Sequence, residues 1–183
     1  MAEELGKIVK PAASDFAKGR KLFFVPLVYC PREAPLEYQQ LFDKYWQQVE
    51  RQLSGLELKL GKVHHFFHEL VTEGGEPGSM IIKEMNDRSY LLIEMRRDET
   101  ANLEATEDIE LLSEFIDWNR CLSLGLQNKK VFTTVYQNYI EAGKKRDELI
   151  VKRIVDTLKE DETGMLLFTE GHPLKFPADI NVF

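Results

Sequence analysis

Cysteine is scarce in this sequence, and uninterrupted apolar stretches are short. Cys30 and Cys121 are the two cysteines among 183 residues. Two isolated thiols do not make the disulfide lattice of a secreted domain, so free thiols in a reducing cytoplasm are expected. No apolar run approaches the roughly 20 residues of a membrane span, and the opening MAEELGKIVKPAASD lacks the apolar core of a secretory leader, so neither membrane nor export is expected. Positive charge is in deficit too: 24 Lys and Arg against 31 Asp and Glu leave a net charge of -7. That argues against a free nucleic-acid ligand, which needs a basic footprint. Lys144-Lys145-Arg146 and Lys152-Arg153 are basic, but they fall in a helical pattern and read as a solvated helix face.

The usual chemical signatures are missing as well. There is no G-x-x-x-x-G-K-[ST], no G-x-G-x-x-G, no G-x-S-x-G and no C-x-x-C. Each would have pointed to a phosphate loop, a dinucleotide site, a nucleophile elbow or a redox pair. No cofactor is expected.

What is present is alternation. Residues 21–29 (KLFFVPLVY) form a nearly continuous apolar run, as in a strand buried on both faces. Pro26 removes a ladder donor and implies a bulge or an edge at that point. Tyr38 to Leu53 carry apolar residues at three- and four-residue spacing. That helix can extend to Leu60 with Gly61 as its cap, although Leu56, Leu58 and Leu60 also alternate as in a short strand. Glu73-Gly74-Gly75-Glu76-Pro77-Gly78 reads as a loop. Ser79 is the expected cap of a short helix to Met85, and Ser89 of a second over Tyr90–Arg97, where a strand is the alternative. A weak strand over 101–105 precedes Thr106-Glu107-Asp108, a capping hydroxyl followed by acids that suit a helix start. That helix ends near Gly125, and a longer one runs from Asn128 to Leu158, weakened at Gly143. Strands at 163–168 and 179–183 close the chain. The predicted fold is α/β. It has a mostly parallel sheet, helices on both faces as a three-layer sandwich, and a long helix or helical hairpin near 107–158. A loose arm over residues 1–20 precedes a single domain over 21–183.

KVHHFFHE, residues 62–69, packs three of the four histidines together. His64 and His68 with Glu69 would share a helical face, as in a zinc protease, but that spacing places Glu directly after the first histidine, where His65 stands. The run follows a helix stop at Gly61, contains two phenylalanines between the imidazoles and ends in a glycine-rich turn, all of which suit a strand. On a strand His64 and His68 lie about 13 Å apart at about 3.3 Å per residue, too far for one ion. Strand, and no metal site, is the expectation. His64, Phe66, His68 and Leu70 would face one way; His65, Phe67, Glu69 and Val71 the other.

In an open α/β sheet, ligands sit beyond the carboxyl ends of the strands. That rule selects Cys30 and Arg32 after the first strand, Glu69 after the second, Thr106 and Asp108 at a helix start after the third, and Glu170 and His172 after the fourth. Arg32, Glu69, Thr106, Asp108 and Glu170 are the ligand-binding candidates. Cys30 as a thiol nucleophile and His172 as an acid or base are the catalytic candidates. Each has a plainer reading: Cys30 as a small buried hydrophobe, and His172 as an inert turn residue before Pro173.

Asp161-Glu162-Thr163-Gly164-Met165-Leu166-Leu167-Phe168-Thr169-Glu170-Gly171-His172, then Phe176-Pro177-Ala178-Asp179-Ile180-Asn181-Val182, resembles the last domain of bacterial relatives of the archaeal and eukaryotic class-1 peptide-chain release factors. Ala101 to Glu107 is similar to that domain's strand and acidic loop. The resemblance covers about a third of the chain. It implies an α/β sandwich that binds a protein or a ribonucleoprotein assembly. It does not imply peptide release, because Gly74-Gly75-Glu76 carries Glu where that chemistry needs Gln. Three functions stand at this point. The first is a non-catalytic binding or regulatory module, translation-related by resemblance. The second is a small hydrolase or transferase at the strand-end rim. The third is an oligomer subunit, such as a homodimer, pairing through Phe132, Tyr136 and Tyr139.

Overall fold

The structure, a computed structural model, describes residues 16, 18–98, 100–171 and 174–183. Most of the arm expected over residues 1–20 lies outside the described residues; within it, Phe16 packs edge-on against Phe183 at 5.6 Å.

Among the described residues one sheet holds five strands, all parallel, in the order β3-β2-β4-β1-β5. They are β1 (Arg20–Pro26), β2 (His65–His68), β3 (Asn102–Leu103), β4 (Thr163–Phe168) and β5 (Ile180–Val182). Between them come α1 (Leu36–Leu60), α2 (Gly75–Met85), α3 (Asp87–Glu94), α4 (Ile109–Ser123) and α5 (Lys129–Thr157). The element order and the parallel sheet match the sequence reading. Pairing one strand face with one helical layer explains the two cores. Phe23, Val25, Phe66, Met165 and Leu167 meet Trp46 and Leu53 of α1, Ile82 of α2 and Leu92 of α3. Leu22, Phe67, Leu166 and Phe168 meet Ile150 and Ile154 of α5. The chain runs from β1 toward β3 over the first face and returns toward β5 over the second. Right-handed crossovers demand that pairing of direction and face.

Several local expectations change. Pro26 is the last residue of β1, level with Phe168, where β5 no longer reaches; one side of β1 is an edge there and no ladder bond is lost. Alternation along β2 holds for His65 to His68 but stops at Leu70, whose φ is 68°. Val71 therefore turns into the core with Phe66. The expected glycine loop is instead the start of α2: Pro77 sits in the first turn, where its missing N–H costs nothing. Gly78 approaches so closely that a Cβ would lie 2.2 Å from the Glu73 carbonyl oxygen. Tyr90–Arg97 is neither a strand nor capped by Ser89. Asn86 caps α3, accepting from the Ser89 amide at 3.2 Å. Asp108, not Thr106, caps α4, accepting from Glu110 and Leu111 amides at 3.0 and 3.1 Å. Gly143 does not interrupt α5; it lets the helix approach Phe115 of α4. Both cysteines are free thiols. Among the described residues no helix is long and apolar enough to cross a membrane.

Candidate functional site

β2 and β4 are neighbours, yet the chain leaves them toward opposite faces. Beyond such a divergence an α/β sheet opens its ligand crevice. Here the crevice is filled by the chain itself. Thr169, just past β4, donates its amide to Glu69 Oε2 at 2.9 Å, and its hydroxyl donates to the same oxygen. Arg146 of α5 enters from the second face. Its Nη2 donates to Glu69 Oε1 at 3.0 Å and to Glu107 Oε1, and its Nε donates to Glu107 Oε2 at 2.8 Å. The Leu70 amide donates to Glu107 Oε1 at 3.2 Å. Phe115 and Phe168 cover the guanidinium with ring centroids 5.0 and 5.2 Å away. Burial opposes the charge on Arg146, but the bonds to Glu107 and Glu69 outweigh it and hold its pKa above the ordinary value. Tyr29, beyond β1, is pushed up to about 12 by burial and then by the charge of Glu69.

His68 lies fully buried behind this plug. Nδ1 donates to the Glu69 carbonyl at 2.7 Å, and Nε2 faces Ser89 Oγ at 3.0 Å. Burial is the main cause that lowers its pKa to about 4, so it is neutral at pH 7 and serves as a strut between β2 and α3. His65 points to the other face, with Nδ1 2.8 Å from Glu104 and Nε2 3.2 Å from Glu162. His64 Nδ1 accepts from the Thr163 amide at 3.1 Å. The three imidazoles thus have three separate sets of partners.

The candidates chosen from the sequence are scattered. Glu69 and Thr106 come close to each other, but both are internal: the Thr106 hydroxyl accepts from the His68 amide at 2.9 Å. Asp108 spends its carboxylate on the α4 cap. Cys30 is half-buried, with Sγ 3.7 Å from the Pro31 carbonyl, and Arg32 is exposed on the loop beyond β1. Glu170 is exposed beside an open cleft. His172 lies outside the described residues. Sequence reading missed Glu107 and misjudged Arg146, which is 1 % exposed rather than part of a solvated basic face. The available signal was its spacing: Arg146 stands in one four-residue row with Ala142, Ile150 and Ile154.

With the crevice plugged, the open concavity lies further out, between α5 and the β4–β5 connection. It has a volume of about 730 Å³. Phe115, Tyr139, Ile140, Val151 and Leu174 make its apolar lining; Lys144, Glu148, Glu170 and Lys175 carry charge around it. One wall continues up the exposed half of α5. Phe132, Tyr136 and Ile140, four residues apart, are 45, 48 and 50 % exposed. The Phe132 and Tyr136 rings stack at 6.0 Å. Scans against protein-family models, curated proteins and solved structures each return no match to this chain.

Proposed function

We propose that the chain is a non-catalytic binding module whose partner, a protein, docks along the exposed face of α5 and into the cleft where that face ends. The observation that carries this reading is the displacement of the open surface. The crevice where an α/β enzyme would hold its substrate is filled by Arg146, which bonds to both Glu69 and Glu107. An accessible apolar surface runs from Phe132 to Val151 instead, along roughly 28 Å of helix at 1.5 Å per residue. Anchors at four-residue spacing leading into a pocket suit a helical partner, the usual helix-in-groove mode of recognition. The resemblance of the chain's tail to a release-factor domain points toward the same class of partner, a protein or a ribonucleoprotein.

A photo-reactive phenylalanine analogue placed at Tyr136 tests this. Irradiation in the protein's own host should give a covalent adduct with a protein, while the same analogue at the exposed Lys44 of α1 should not. Absence of any adduct from position 136, or equal yields from both positions, would remove the reading.

A further inference from the structure

Building on that docking face, we infer that its occupant is a second copy of this chain, paired antiparallel along α5 about a two-fold axis near residues 138–139. The argument is one of charge and register. From Lys129 to Ile140, α5 carries two lysines and no acid, both lysines at the helix start. Acids on the same helix begin at Glu141 and include Glu148 beside the cleft. Lys130 and Glu148 lie five turns apart, about 18 residues at 3.6 per turn, so they project from the same side of the helix. In an antiparallel pair, flanking positions on the same side face each other. A two-fold axis close to their midpoint therefore brings Lys130 of each copy within reach of Glu148 of the other, and makes both contacts at once.

With the axis at residue 138, one residue toward the helix start from the midpoint of the charges, Lys130 and Glu148 stand two residues, about 3 Å, from level. There Tyr136 falls opposite Ile140, and Phe132 falls opposite Lys144, next to Gly143. Gly143 brings no side chain there, and the Phe115 ring behind it forms a floor, since a Cβ on Gly143 would lie 3.3 Å from that ring. Each copy thus places Phe132 over the cleft of the other. A self-complementary surface of this kind closes as a dimer and does not propagate. Lys144, which meets Glu148 at 3.7 Å within one chain, is 75 % exposed and leaves that carboxylate accessible.

The test is sedimentation equilibrium of the full chain up to about 100 µM, a range that detects micromolar pairing. The mass should rise from 21.3 kDa toward twice that value. Lys130→Glu and Glu148→Lys should each raise the dissociation constant at least about tenfold, because each breaks two symmetry-related contacts. The double exchange should return it to within about threefold of the original, since the pairs are restored with their signs inverted. Both positions are exposed, so the fold is preserved, and circular dichroism checks this. A monomer at every concentration overturns the inference, as does a dimer whose charge exchange fails to restore affinity. If the chain stays monomeric while Tyr136 cross-links to a different protein, the homodimer fails and the docking face stands. If neither pairing nor adduct is found, both fail.

Discussion

The two halves of α5 obey opposite rules. From Ala142 to Ile154 every fourth residue is buried, and one of those residues is an arginine. From Lys129 to Ile140 the helix buries Val135 and leaves Phe132, Tyr136 and Ile140 in the open. A charge is inside and aromatics are outside, which reverses what hydropathy alone would assign to each half. The difference lies in what each half meets. The second half crosses the sheet, where Glu69 and Glu107 await a cation. The first half packs against α4, where Tyr139 stacks on Phe115 at 5.0 Å.

Substitutions that treat the two halves alike should separate them. The largest effect is expected from Arg146→Met, which leaves Glu69 and Glu107 buried without their cation. A loss of roughly 3–5 kcal/mol in urea unfolding is expected, and a loss under about 1 kcal/mol would show that the cluster is not what holds the buried half. Acid should act on the same interior. His68 titrates near 4 when folded and near 6.5 when unfolded, so the unfolded chain binds the extra proton first. Its contribution is complete above about pH 6.5 and is lost as pH falls toward 4, on the order of 3 kcal/mol. Denaturant midpoints measured across that window should flatten in His68→Gln. A smaller effect is expected at the start of the exposed half. Asn128→Ala removes acceptors from the Lys130 and Val131 amides and should cost about 1 kcal/mol, visible as faster amide exchange over the first turn. The smallest is Phe132→Ser, which should change unfolding of the dilute monomer by less than about 0.5 kcal/mol. A larger loss would mean that the exposed half is part of the core after all.

The sequence was legible wherever a period was clean. The apolar run of β1, the paired phenylalanines between the imidazoles of β2 and the long stripe of α5 each led to the right element in the right order. It was opaque where a polar residue does interior work. Arg146 follows Lys144 and Lys145, and three cations in a row look solvated unless one asks which of them shares a row with Ala142 and Ile150. Glu107 looked like a first-turn acid favoured by the helix dipole, whereas it receives Arg146. The glycines at 74–78 looked like a loop because glycine and proline both break helices, yet Pro77 is harmless in a first turn and Gly78 is required by the close Glu73 carbonyl. Of the site candidates, Glu69 and Glu170 fall at the carboxyl edge. The exposed face of α5 could be named from its aromatics, but that it stays uncovered while the rows through Val135 and Ala142 are buried depends on tertiary packing that the spacing alone does not encode.

The position of β4 has a consequence for how the molecule comes into being. It lies between β1 and β2 and pairs with both, yet it is not made until residue 168. On a ribosome adding about 5–20 residues per second, β1 and β2 wait several seconds with their inner edges open, flanking a gap that β4 fills among the described residues. A nascent chain halted before Thr163 therefore holds two unpaired, apolar strand edges, the state most prone to aggregation. Folding of this protein is a closing event, completed from the middle of the sheet outward and late in synthesis.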